Sequence, residues 1–265
     1  MRVVILDSPT AVSTRAADII CQTIQANPRA VLGLATGGTP LGTYHELIQR
    51  YRVQRINFTQ LTTFNLDEYV GLPREHPQSY WSFMCQNLFT PGDFDIDACH
   101  IPDGTAVDLL DACRVYEDQI ARAGGIELQL LGIGTDGHIA FNEPGSSLAS
   151  RTRVKALTQQ TRRDNARFFE SIDEVPKLAL TMGVGTILDA RGILLLATGT
   201  NKAATVRALV EGPVTASVPA SALQLHPHVT VLLDRDAASQ LARAEYYIEV
   251  EHVQAQLETR NARVS

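Results

Sequence analysis

Four short apolar runs constrain this chain more than any other feature: residues 30–35, 128–133, 193–197 and 229–233. None alternates strictly between apolar and polar residues, so each predicts a strand covered on both faces, as in a parallel sheet clothed by helices. Residues 2–6 and 61–66 predict two further strands. Helical periodicity fills the intervals at 8–27, 41–51, 77–89, 106–123 and 201–210, with a last helix over 236–259, while 90–104 reads as irregular. Strands alternating with helices predict an α/β fold: an open, mostly parallel sheet with helices on both faces, a Rossmann-like three-layer αβα arrangement. No linker or low-complexity block divides the 265 residues, so one domain over 1–265 is expected, with the polar, arginine-rich stretch 147–176 as a mobile flap.

In such a sheet the chemistry is delivered where strands end. The run 128–133 opens into Gly134-Thr135-Asp136-Gly137-His138-Ile139-Ala140-Phe141-Asn142-Glu143-Pro144, which gathers Asp136, His138 and Glu143 between glycines. A histidine flanked by carboxylates can be held in one tautomer for proton transfer near neutral pH. The string Gly132-Ile133-Gly134-Thr135-Asp136-Gly137 formally matches GxGxxG, but no helix opens there and no acid stands about 20 residues on, which argues against a dinucleotide site. The same three ionisable groups could hold a metal, although their spacing is not a recognised ligand pattern, and no metal or cofactor is expected.

Two other strand ends share a different logic. Thr36-Gly37-Gly38-Thr39-Pro40 places glycines ahead of a helix that Thr39 would cap, with Pro40 at its first position; bare amides there suit an anion. Ala197-Thr198-Gly199-Thr200-Asn201-Lys202 repeats the pattern and adds a lysine in the first helical turn, where the helix dipole disfavours a cation unless an anion is bound. Each is equally a tight strand-to-helix turn, and Lys202 equally a solvated surface group. Asp67, at the end of the third strand, is either a capping acid or a general base on carbon.

Charge narrows the partners. The formal net charge of −6 disfavours nucleic acid and anionic membranes, so an anionic small molecule would need the basic cluster at Arg151, Arg153, Lys155, Arg162, Arg163 and Arg167. The amino terminus does not read as a signal peptide, and no apolar run approaches the roughly 18 residues of a membrane span. Cys21, Cys85, Cys99 and Cys113 show no metal-type spacing and read as free thiols of a reducing cytoplasm.

Taken together, these motifs resemble the glucosamine-6-phosphate deaminase family along nearly the whole chain. The likeness is carried by the segments 34–40 and 63–73, by His76-Pro77-Gln78-Ser79-Tyr80, by 134–144 and 146–155, by Val175-Pro176-Lys177 and by Gly183-Val184-Gly185-Thr186. The first loop alone is shared with 6-phosphogluconolactonases. The resemblance implies aldose–ketose isomerisation with loss of ammonia, without cofactor or metal. It makes Asp67 the base between C2 and C1, and gives ring opening to His138 with Asp136 and Glu143. Gly37, Gly38, Thr39, Arg167 and Lys202 would hold the phosphate. Some members are hexamers activated by N-acetylglucosamine 6-phosphate, at a site resembling Ser146, Ser147, Arg153 and Lys155, with Tyr246 as a further candidate. A homo-oligomer is therefore expected, although Ala156 stands where the activated members carry threonine and Gly145 where they carry alanine.

Three alternatives stay open at this level. A galactosamine-6-phosphate deaminase differs by one hydroxyl's orientation, which pocket geometry reads. A lactonase would not need Asp67 beside a ring-opening His138. A non-catalytic sugar-phosphate sensor on this fold would carry a DNA-binding segment ahead of it, whereas the first strand here starts at Arg2.

Overall fold

A computed structural model describes residues 1–166 and 169–262. The chain runs β1 (Arg2–Leu6), α1 (Pro9–Ala26), β2 (Val31–Leu34), α2 (Leu41–Arg52), β3 (Thr62–Asn65), β4 (Asp67–Tyr69), α3 (Tyr80–Met84), β5 (Cys99–His100), α4 (Leu109–Arg122) and β6 (Leu128–Leu131). It continues through β7 (Arg153–Ala156), α5 (Gln159–Asn165), β8 (Leu178–Thr181), α6 (Val184–Leu188), β9 (Gly192–Ala197), α7 (Ala203–Glu211), β10 (Val229–Asp234) and α8 (Ala244–Ala262).

Seven strands pair in the order β1-β10-β9-β6-β2-β3-β5, and every neighbour is parallel. The non-alternating runs explain this: their side chains serve two cores at once. Leu32, Leu34, Leu194, Leu196 and Leu232 pack against α1 and α2 through Val12, Ala16, Ile20, Tyr44 and Leu47. Phe64, Leu131, Leu195, Val231 and Leu233 pack on the other face against Tyr116, Ile120, Ile187, Val206 and Leu209 of α4, α6 and α7. Leu194 is fully buried, so Leu194→Ala should cost roughly 2–5 kcal/mol.

The crossovers set the position of the site. From β2 the chain moves outward to β3 and β5, then returns to β6 on the opposite side of β2 and moves the other way through β9 and β10. The loops leaving β2 and β6 therefore diverge and leave a crevice at the carboxyl ends of the strands, the topological switch point of an open α/β sheet.

A second, three-stranded antiparallel sheet, β4-β8-β7, stands beside that crevice, with Asp67 and Arg153 both opposite Thr181. The third strand was expected to run to 66 and stop. Instead the chain steps between sheets at Leu66, whose N–H donates to Leu34 O (3.1 Å) and whose carbonyl accepts from Met182 N (2.7 Å). Asp67 thus begins a new strand.

Other boundaries moved for local reasons. The helix expected over 77–89 starts only at Tyr80, because the Ser79 hydroxyl caps it by accepting from Ser82 N (3.0 Å), and it continues as a π-helical turn over Cys85–Phe89. Asp108 caps α4 in the same way, so that helix begins at Leu109. The irregular stretch 90–104 contains a 3-10 turn and the two-residue edge strand β5. The last helix starts at Ala244 and not at 236, since the Asp234 carboxylate takes Ala237 N and Glu211 takes Ala242 N and Arg243 N, holding 236–243 in turns. Within 147–176 lie β7 and α5. Among the described residues no helix is long and apolar enough to cross a membrane, and the four cysteines are free.

Candidate active site

The crevice is a cavity of about 400 Å³. It is walled by Ala35–Thr39 after β2, Leu66 and Asp67 at the sheet junction, Gly132–Thr135 with His138, Ala140 and Phe141 after β6, and Asn201 and Lys202 after β9. Tyr80, Thr161 and Asn165 close the remaining side.

One end is built to receive an anion. Gly37 has φ 93°, a conformation side chains disfavour, and nothing lies within 4 Å of the place a Cβ would take on Gly37 or Gly38, so a ligand can approach this backbone closely. Thr39 does not cap the helix as expected. Pro40 occupies the cap position without any side-chain bond, α2 begins at Leu41, and the Thr39 side chain lies over Gly132. Across the cavity Gly199 (φ 88°) turns the chain into a 3-10 turn that carries Lys202, one step before α7 begins. The Gly199 N–H is held by Asp234, both of whose oxygens lie 3.0 Å away. Arg167 lies outside the described residues.

Asp67 faces the same cavity from a buried position. It is 6% exposed, and among the described residues no hydrogen bond reaches its carboxyl. Burial, with the neighbouring Glu68 charge, pushes it up to about 8. Glu68 is engaged elsewhere: its carboxylate accepts from Tyr69 N (2.8 Å), Tyr80 N (3.0 Å) and Trp81 N (3.0 Å), capping α3. Burial raises Glu68 as well, against the pull of those amides. Of two adjacent carboxyls, one anchors a helix and the other confronts the cavity.

The Gly134–Glu143 loop supplies a different arrangement. His138 Nδ1 lies 2.7 Å from Asp136 Oδ1 and 3.8 Å from Glu143 Oε2. The Asp136 oxygen sits off the ring's N–H axis, so the contact is an electrostatic pairing more than a linear hydrogen bond. Asp136 also accepts from the His138 backbone N–H (3.1 Å). Partial burial pushes the Asp136 carboxyl up, but the His138 ring and backbone N–H outweigh it and hold Asp136 well below the ordinary range. With both carboxylates at Nδ1, Nε2 is the ring nitrogen not committed to either. Glu143 is buried; its Oε1 accepts from Thr161 and Thr158, while Oε2 has no hydrogen-bond partner. Ligand atoms of Asp136, His138 and Glu143 lie within 4.8 Å of one another, so a divalent cation entering this region would meet all three. The Asp136–His138 contact and the threonine bonds to Glu143 already occupy much of that donor capacity.

Of the residues of the expected activator site, Tyr246 stands apart from the rest. Ser146 is buried beside the Gly134–Glu143 loop, its N–H on Glu143 O (3.0 Å), and the Ser147 hydroxyl accepts from Ala149 N. Arg153 donates to Asn142 Oδ1 (2.9 Å), and Lys155 is half-buried on β7 opposite Ala179. Tyr246 is 58% exposed on α8 and lines a depression with Arg2, Leu128, Gly192 and Val229, at the amino ends of the strands and so at the opposite edge of the sheet.

Several contributors were given no role of their own in the sequence reading: Glu68, Tyr80 and Asn201, which lie within its motifs, and Thr161, Asn165 and Asp234, which do not. Asp234 had a usable signal, an acid ending an apolar run, as Asp67 nearly does. Thr161 and Asn165 carry none, because only folding brings α5 to the cavity.

Comparison with known proteins agrees with this geometry. Residues 7–232 match the family described as glucosamine-6-phosphate isomerases/6-phosphogluconolactonase. A glucosamine-6-phosphate deaminase of Hahella chejuensis is 56% identical over 247 residues, 93% of this chain and 94% of that protein. A solved structure described as a monomeric glucosamine-6-phosphate deaminase superposes with a TM-score of 0.89 at 50% identity, over 91% of this chain and all of that one. The 6-phosphogluconolactonase of Trypanosoma cruzi shares the fold, with a TM-score of 0.72 at 24% identity over 91% of this chain and 97% of that one.

Proposed function

The chain belongs to the glucosamine-6-phosphate isomerase/6-phosphogluconolactonase family, and from that premise we propose that it converts glucosamine 6-phosphate and water to fructose 6-phosphate and ammonia. The observation that carries the reading is one cavity holding two unlike proton-transfer groups, a buried carboxyl at Asp67 and a carboxylate-flanked imidazole at His138, beside an amide-lined pocket end.

The chemistry needs each of them. The phosphate dianion takes the open backbone at Gly37 and Gly38, with the Thr39 hydroxyl, Lys202 and Arg167. His138 removes the proton from the anomeric O1 hydroxyl and returns one to the ring oxygen, which frees the aldehyde. Asp136 and Glu143 stand at Nδ1 and orient the ring. Asp67 then takes the C2 proton, and the aldehyde oxygen gains one, giving an enolamine. Protonation at C1 turns this into an imine at C2. Water adds there and ammonia leaves, so the nitrogen lost is balanced by the oxygen gained. A lactonase reaction would use no base on carbon, and Asp67 would then have no task.

Residues 147–176 serve as the cover of the site, since α5 brings Thr161 and Asn165 to its wall, and the whole chain acts as one catalytic unit. A finer proposal is activation by N-acetylglucosamine 6-phosphate in a homo-oligomer. Arg153 and Lys155 on β7 offer charge for a phosphate, and the Arg153–Asn142 bond links them to the catalytic loop. Tyr246, at the far edge, could join such a site only from another subunit. The free cysteines fit a cytoplasmic setting.

The test is ammonia and fructose 6-phosphate release from glucosamine 6-phosphate, with and without a chelator and N-acetylglucosamine 6-phosphate, alongside a solution mass. Chelator-resistant release of both products in equal amounts is expected. Absence of ammonia would overturn the reaction. A hyperbolic curve unmoved by the acetylated sugar, on a monomer, would overturn the regulatory part alone.

A further inference from the structure

We propose that Thr161 is a positioning residue for ring opening: helix α5 carries its hydroxyl onto the buried Glu143, so the charge beside His138 depends on where α5 sits. The inference rests on the deaminase reading and concerns the same site.

Glu143 is 3% exposed, a position that disfavours a carboxylate unless donors compensate. Both side-chain donors come from one place. Thr161 Oγ1 donates to Glu143 Oε1 at 2.5 Å and Thr158 Oγ1 to the same oxygen at 3.3 Å. The two hydroxyls are 3.0 Å apart, and Thr158, the cap of α5, accepts the Thr161 N–H (3.1 Å). Helix geometry and carboxylate solvation are therefore one unit. Oε1 being taken, Oε2 is left without a hydrogen bond and lies 3.8 Å from His138 Nδ1. The other end of α5 is fastened too: Asn165 Nδ2 donates to Tyr69 OH (3.0 Å), next to Tyr80 of the cavity wall. If α5 withdraws, Glu143 loses both hydroxyls together.

The titratable and charged groups around Glu143 have defined directions. His138 and Asp136 of its own loop face it. Helix α5 presents neutral threonines, its Arg162 being turned to the Ile172 and Val175 carbonyls. From β7, Arg153 is bound to Asn142.

The experiment compares kcat on glucosamine 6-phosphate for the unmodified chain, T161V and T161S. It also measures binding of 2-amino-2-deoxyglucitol 6-phosphate, an acyclic analogue that needs no ring opening. T161V should lose about tenfold in kcat, the worth of one hydrogen bond to a charged group. T161S should restore kcat, and affinity for the acyclic analogue should be unchanged in all three. Should T161V misfold, T161A carries the same expectations. An unchanged kcat in T161V, or a loss of acyclic-analogue affinity matching the loss of kcat, would overturn the inference while leaving the reaction standing. No turnover by the unmodified chain would overturn the reaction, and this inference with it.

Discussion

Asp67 and Asp136 are the same residue type, one in the wall of the cavity and one behind its His138, and their surroundings push them in opposite directions. Asp67 is enclosed, unpaired among the described residues, and raised to about 8. Asp136 is more open, pressed against the His138 ring, and held below the ordinary carboxylate range. A proton acceptor with raised basicity can work on a weakly acidic C–H bond, whereas a permanently charged carboxylate is suited to holding a neighbouring ring. In the proposed reaction the division of labour lies in the environments rather than in the residues, and an Asp in either place can be understood only with its neighbours.

The comparison can be broken most severely at Asp67. Asp67→Asn keeps shape and removes basicity, so turnover should fall by about 10³-fold or more, read as ammonia release, while binding of the acyclic analogue persists. Asp136→Asn should cost less, about 10²-fold in kcat, because Glu143 still faces the ring. A subtler test uses pH. For the unmodified chain kcat/KM should climb as Asp67 ionises and level off above about 8, and the same climb should survive in Asp136→Asn, since Asp136 is ionised throughout that range. A climb that vanishes with Asp136 would exchange the two roles.

The smallest effect concerns stability. The Asp67 carboxyl is raised in the folded chain from 3.8 to about 8, so its favourable contribution is complete below 3.8 and lost as pH rises through 8. The inactive Asp67→Asn chain should therefore melt several degrees above the unmodified chain at alkaline pH, and the gap should close on acidification. A gap independent of pH would mean that Asp67 is not an isolated buried acid.

The large sheet was legible because its strands are buried on both faces. The expected bounds of β1 are the observed ones, and those of β10 differ by a residue. The small sheet was not legible. Its strands read Asp-Glu-Tyr, Arg-Val-Lys-Ala and Leu-Ala-Leu-Thr, too short and too mixed to show a period, and they are defined by antiparallel partners far along the chain. The site divides along the same line. Gly37, Gly38, Thr39, Lys202, Asp136 and His138 stand in loops after large-sheet strands, where a sequence advertises them, and the structure brings all but Asp136 into the wall of the cavity, with Asp136 against His138. Glu68, Thr161 and Asn165 act through bonds made only in the folded chain. Tyr246, a further candidate for the activator site in the sequence, sits over the far edge because α8 folds back onto β1, where Arg2 grips Glu251 through two 2.7 Å bonds.

Leu66 gives its N–H to the large sheet and its carbonyl to the small one, one residue before Asp67. Two amides therefore act as built-in gauges in a deuterium-exchange experiment: Leu66 N–H reports opening of the large sheet, and Met182 N–H reports detachment of the small sheet from it. If Met182 exchanges long before Leu66, the strand bearing Asp67 has a life of its own, and the distance between that carboxyl and the sugar carbon is set by a local equilibrium rather than by the global fold. If the two exchange together, the chain cannot lose its base without unfolding altogether.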